Sequence, residues 1–243
     1  MGELLAAGFV VAVGVLLIKS VSLLEHGRER RRTGVLPPEV TKGRAEPLPI
    51  SQQPDLPRPF GYKTGWAAVR CGDAARVLKA LSPASVRPAN WETGLAAAEC
   101  GAGVFVSPVL SGFVLVIGWG GGLSTGAWEC APLPYENLDG GDFTEVQLFA
   151  SHRVSDFYRW EKYVCGAAVR RYCFAGGRAL WSAEPLTMEE RALGFDHLPW
   201  NDQAAGQRLP TEEDVLNIAA AWGVDPRFEN KKYPPSTGWL CTV

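Results

Sequence analysis

Histidine is scarce in this chain. Only His26, His152 and His197 occur among its 243 residues, and no two of them have the spacing of a metal-binding pair. Cysteine fills no such role either. Cys71, Cys100, Cys130, Cys165, Cys173 and Cys241 are scattered, without a C-x-x-C pair, which is the wrong pattern for zinc. Six thiols leave three disulfides open in an oxidising compartment; in a reducing one they read as small, mostly buried apolar groups. An excess of either charge is also missing. Lys+Arg number 24 and Asp+Glu 26, a net charge of −2, which excludes the basic footprint that general nucleic-acid binding needs.

The phosphate-binding fingerprints are absent as well. "VLVIGWGGGLSTGAW" (114–128) is rich in glycine, but a G-x-G-x-x-G motif needs glycine where Leu123 or Thr125 stands, and no P-loop lysine follows. "NLDGGD" (137–142) lacks the ligand spacing and closing glutamate of a calcium loop and reads as a turn. Zincin, kinase and nucleophile-elbow patterns do not occur. The chain is therefore expected to hold no metal and no cofactor.

What the sequence does contain is a long apolar run near its start. Leu4 to Ile18 carries no charged side chain, and extension to Leu24 gives a helix of roughly 31 Å, the depth of a bilayer core. Lys19 can snorkel to the headgroups. Arg28, Arg30, Arg31 and Arg32 follow at once, and by the positive-inside rule that side stays cytoplasmic. A cleaved signal peptide is the competing reading. The missing basic n-region and the poor cleavage site near "SVS" count against it. Residues 1–27 are thus expected to form a single-pass anchor in the inner membrane, embedded through residues 4–24. Residues 28–59 form a basic, then proline-rich linker, with Pro37, Pro38, Pro47, Pro49, Pro54, Pro57 and Pro59 along it. One globular domain is expected over 60–243.

Within that domain the patterns are mixed. "TGWAAVRC" (64–71) reads as a strand and "GDAARVLKAL" (72–81) as a helix with Asp73 near its start. Residues 104–108 and 113–119 read as a hairpin around Val109–Gly112; residues 168–174 and 178–183 form a second, joined through Ala175–Gly177. "TEEDVLNIAAAWG" (211–223) is a helix capped by Thr211, with Asp214 as capping-box partner and Gly223 at its end. The fold class expected is α+β: a mainly antiparallel sheet with flanking helices, preceded by the transmembrane helix.

"EVQLFASHRVSDFYRW" (145–160) brings Ser151, His152 and Asp156 within six positions. In a strand Ser151 and His152 point to opposite faces, so they do not make a nucleophile–base pair. Ser155 and Asp156 then read as the start of a helix with Phe157, Trp160 and Val164 on one stripe. The catalytic reading of His152 and Asp156, with Cys165 or Glu145 as helpers, is the weaker alternative. A stronger bias lies downstream. Between residues 184 and 229 acidic side chains outnumber basic ones, and Glu189, Glu190, Asp196, Asp202, Glu212, Glu213 and Asp214, with Trp200 as an aromatic anchor, read as a face for a basic protein partner. A solvated helical surface accounts for the same acids without a partner. Trp128, Tyr135 and Trp181 are further aromatic anchors.

The segments "FGYKTGW", "VFVSP", "EVQLFASHR" and "EEDVLNIAAAW" together resemble an uncharacterised family of bacterial proteins. The resemblance spans most of the chain from Phe60 onward and implies a bacterial source. It assigns no activity and no site residue. The reading that joins these features is a non-enzymatic, membrane-tethered protein-binding domain. In its most specific form it is an immunity protein that neutralises a bacterial toxin or effector, such as a nuclease. An enzyme centred on His152 and Asp156 and a structural subunit of an envelope complex are the alternatives.

Overall fold

A computed structural model describes residues 49–118, 138, 142–195 and 208–242. The anchor and the basic part of the linker lie outside the described residues. Among the described residues no helix is long and apolar enough to cross a membrane.

Nine described strands form one sheet: β1 (Gly65–Arg70), β2 (Ser85–Asn90), β3 (Val104–Val106), β4 (Phe113–Ile117), β5 (Glu145–His152), β6 (Phe157–Val164), β7 (Ala167–Ala175), β8 (Arg178–Ala183) and β9 (Thr237–Thr242). Their order is β2-β9-β3-β4-β1-β5-β6-β7-β8, and every pair is antiparallel. Four described α-helices accompany them: α1 (Ala74–Leu81), α2 (Trp91–Glu99), α3 (Met188–Ala192) and α4 (Glu212–Trp222). The α+β class with a mainly antiparallel sheet is therefore the observed one.

Both faces of the sheet centre are buried, which explains the near-continuous apolar runs of β1, β4 and β5. One face carries large side chains, with Trp66, Phe105, Phe149 and Trp160 against Trp91 and Leu95 of α2 and Val215, Ile218 and Trp222 of α4. The opposite face carries small branched ones, with Val69, Val104, Val114, Val116 and Val146 against Ala74 and Val77 of α1. Period-two alternation thus sorts side chains by volume, not by polarity.

The local signals act as read. Asp73 caps α1 by accepting from Ala75 N–H at 2.9 Å. Thr211 and Asp214 form the capping box of α4. Both hairpins are present, and Gly176 and Gly177 (φ 56° and 82°) make the two-residue turn of the second.

Two expectations need correction. The segment after Asp156 is not a helix but strand β6, paired with β5 from His152↔Phe157 to Glu145↔Val164. Only one turn of 3₁₀ helix, Arg153–Ser155, precedes it, and Asp156 ends that turn at φ 46°. The aromatic and β-branched side chains of "FYRWEKYV" favour a pleated, packed surface over a helical stripe. The folded body also starts before Phe60. Residues 49–59 join it, and Asp55 holds the start of α2 by accepting from Trp91 N–H (2.7 Å) and Glu92 N–H (3.0 Å). The last part of the proline-rich stretch is tied to the domain because it supplies this cap.

Gly94 shows how tightly α2 sits on the sheet. A Cβ there would stand 2.3 Å from Cδ2 of the fully buried Phe105 ring. Gly94→Ala gains about 1 kcal/mol of helix propensity. Overpacking costs about 1–3 kcal/mol, and the enclosed ring leaves little room to relax. A net loss of about 1–2 kcal/mol is expected, read as a lower urea midpoint with unchanged slope. A stabilised variant would disprove the close approach.

Candidate functional site

The residues singled out around Ser151 and Glu212 do meet, at one end of the sheet. There the turn before β1, the end of β5 and the first turn of α4 come together. Ser151 N–H donates to Thr64 O at 3.0 Å. The Ser151 hydroxyl lies 2.8 Å from Gly61 O and 2.8 Å from Glu212 Oε1. The same Glu212 oxygen accepts from Lys63 N–H at 3.0 Å. Lys63 itself sits in the left-handed region at φ 51°. Glu212 therefore ties a strained turn to a strand and a helix.

This arrangement dissolves the triad. Ser151 is fully buried, and its hydroxyl is held by Gly61 and Glu212. His152 is half-buried on the other side of the strand, with Nδ1 2.9 Å from Ser155 Oγ. Its imidazole is pushed below the ordinary value, first by desolvation and then by the charge of Lys63. Asp156 is exposed in the turn that follows His152. The helpers are engaged elsewhere. Glu145 accepts from Arg70 Nε (2.8 Å) and Gln147 Nε2 (2.6 Å) and pairs with Lys162 (3.1 Å). Burial raises its carboxyl, but these hydrogen bonds outweigh that and hold it below the usual range. Cys165 is an exposed thiol in the turn between β6 and β7.

The acidic face is corrected too, because three of its members point inward. Glu190 is fully buried and receives Arg170 Nε on both oxygens (2.8 and 3.0 Å), Trp160 Nε1 (2.9 Å) and Thr187 N–H (2.7 Å). Glu212 is buried as described. Asp214 is buried in its capping box and paired with Arg208. A buried carboxylate needs such donors, so these acids are internal acceptors rather than a docking charge. Glu189 stays half-buried. Glu213 stays exposed, paired with Arg227 and with the Tyr62 hydroxyl at 3.2 Å. Asp196, Trp200 and Asp202 lie outside the described residues, as do Trp128 and Tyr135.

Among the described cysteines, Cys71, Cys100, Cys165 and Cys241 are free thiols. Burial pushes Cys241 up to about 11, so it stays protonated and acts as a small apolar group at neutral pH. No group of three or more ligating side chains suited to a metal occurs among the described residues.

Sequence reasoning missed the exposed apolar groups at this same end. Tyr62 is 50% exposed and Val154 75% exposed. Tyr62 stands on the turn that Ser151 and Glu212 hold, and Val154 on the 3₁₀ turn that the His152–Ser155 hydrogen bond closes. A valine flanked by Arg153 and Ser155 gives no periodic signal, so only the fold reveals it. Comparison of the chain with protein-family models, with curated proteins and with solved structures finds no match.

Proposed function

We propose that this chain is a membrane-tethered protein-binding domain of a bacterial cell. In its specific form it is an immunity protein that neutralises a toxin or effector. The anchor is residues 4–24, held in the inner membrane with the folded body on the cytoplasmic side.

The observation that carries the reading is the pinned sheet end. Tyr62 and Val154 are exposed apolar groups on two neighbouring turns, the first held by Ser151 and Glu212 and the second closed by the His152–Ser155 hydrogen bond. A rigid surface loses little entropy on docking, and tyrosine is a frequent hot-spot residue. The contact is thus centred on this end, not on the acidic stretch, whose central carboxylates are consumed inside the fold.

The test is copurification from the native host with the full chain in detergent. Recovery of one protein partner, weakened at least about tenfold by Tyr62→Ala combined with Val154→Glu, is expected. Glu189→Gln should leave binding unchanged. An undiminished complex in the double variant, or no protein partner at all, would count against the reading. Cysteine accessibility on whole cells tests the orientation separately.

A further inference from the structure

The β3–β4 hairpin turns through Ser111 and Gly112. Leu110 N–H donates to Phe113 O at 2.7 Å and Phe113 N–H to Leu110 O at 2.9 Å. Ser111 and Gly112 both have positive φ, 53° and 83°, as a two-residue type I′ turn requires. Serine rarely adopts this conformation, and Asn or Gly usually stands there. Here the turn holds the Ser111 hydroxyl against two side chains more than a hundred residues away. Lys231 Nζ is 2.7 Å from Ser111 Oγ, and the Tyr233 hydroxyl is 2.6 Å from it. Phe228 braces the Tyr233 ring edge-on at 5.8 Å, and Lys231 Nζ lies 5.5 Å from its centroid. A hydroxyl set between an amine and a phenol has a base to take its proton and an acid to supply one.

We propose that Ser111 is an acyl-accepting nucleophile, with Lys231 as its general base and Tyr233 as proton donor, acting on small activated carboxylic esters. Ser111 and Lys231 are exposed, so the site is open to solvent and suits a small acyl group. In the resting site Lys231 donates to Ser111. As general base the Lys231 amine takes the Ser111 proton while Oγ bonds to the acyl carbon. The hairpin ladder uses the N–H groups of Leu110 and Phe113, so those of Ser111 and Gly112 remain available to the developing oxyanion. The intermediate collapses with rupture of the ester C–O bond. The leaving alkoxide takes the Tyr233 proton, which the Lys231 ammonium replaces. Water then adds to the acyl-serine, with Lys231 again as base. The Ser111 oxygen recovers a proton and the carboxylic acid departs.

This capacity goes beyond partner binding and does not depend on it. The test uses the full chain in detergent with p-nitrophenyl acetate. A rapid release of p-nitrophenolate and an acetyl group mapped to Ser111 by peptide mass are expected. Ser111→Gly keeps the turn, since glycine favours positive φ, and should lose both signals. Lys231→Met should slow acetylation at least about 100-fold, and Tyr233→Phe should slow it less. Equal acetylation of wild type and Ser111→Gly, or an unslowed Lys231→Met, would overturn the assignment.

Discussion

Glu190→Ala is expected to destabilise the fold by about 3–5 kcal/mol, the range for breaking a buried ion pair from one side. Arg170 is 1% exposed and Glu190 0%, so the guanidinium left behind cannot turn to water. One terminal nitrogen, Nη1, is already spent on Ser182 Oγ and on the carbonyls of Ala183 and Glu184, at 3.0–3.1 Å, and Nη2 is buried without an acceptor among the described residues. The substitution also strips an acceptor from Trp160 and half of the capping box that starts α3. By contrast, the half-exposed Arg171–Glu184 pair is expected to contribute at most about 1 kcal/mol. Chemical denaturation of Glu190→Ala and Glu184→Ala side by side measures the difference. The double substitution Arg170→Met with Glu190→Leu should cost less than Glu190→Ala alone, because no charge is left stranded. Equal losses in the two single variants would show that the buried pair carries no special weight.

Trp66→Ala is the second large effect, about 3–5 kcal/mol. Trp66 is 1% exposed near the start of β1, opposite both Phe149 and Ile117. It stacks on Phe149 at 5.0 Å and meets Phe60 edge-on at 5.6 Å. Truncation opens a cavity where the sheet touches α4, since Phe149 also packs on Trp222 at 5.7 Å. The pinned turns at Gly61–Thr64 and His152–Asp156 flank this position. Loss of stability should therefore be accompanied by loss of partner binding, whereas Trp66→Phe should retain most of both. A wild-type unfolding midpoint for Trp66→Ala would contradict the packing described. In Glu190→Ala, by comparison, the damage lies at β7 and α3, so a variant still folded at low temperature should keep its partner.

The elements that could be read correctly from the chain are those whose cause is local. Asp73 caps α1 two residues away, and Thr211 and Asp214 box α4 within three. The Gly176–Gly177 turn likewise needs only its own backbone freedom. The helix expected after Asp156 failed because Phe157, Trp160 and Val164 repeat at helical spacing while the same residues also fit an aromatic-rich strand. Pairing with β5 and β7 decides between the two. Residues 85–90 give little strand signal in the sequence, since Pro88 argues against a strand in the interior of a sheet. At the edge, where β2 lies, proline is tolerated.

The candidate sites divide in the same way. The sequence by itself argues against a basic nucleic-acid footprint and a histidine- or cysteine-built metal pattern, because it has no excess of basic charge and no His or Cys pair at ligand spacing. The alternation within a strand was enough to separate Ser151 from His152, since successive side chains must face opposite ways. The fate of each carboxylate required the folded chain. Glu190 finds Arg170 20 positions away, and Glu212 finds Ser151 and Lys63 at separations of 61 and 149. The Ser111 hydroxyl meets Tyr233 across 122 positions. Backbone propensities and short spacings act over one or two turns of chain. Whether a charge points to solvent or inward depends on which distant donors the sheet brings beside it, and that was decided only when β9 entered between β2 and β3 and α4 packed across β5.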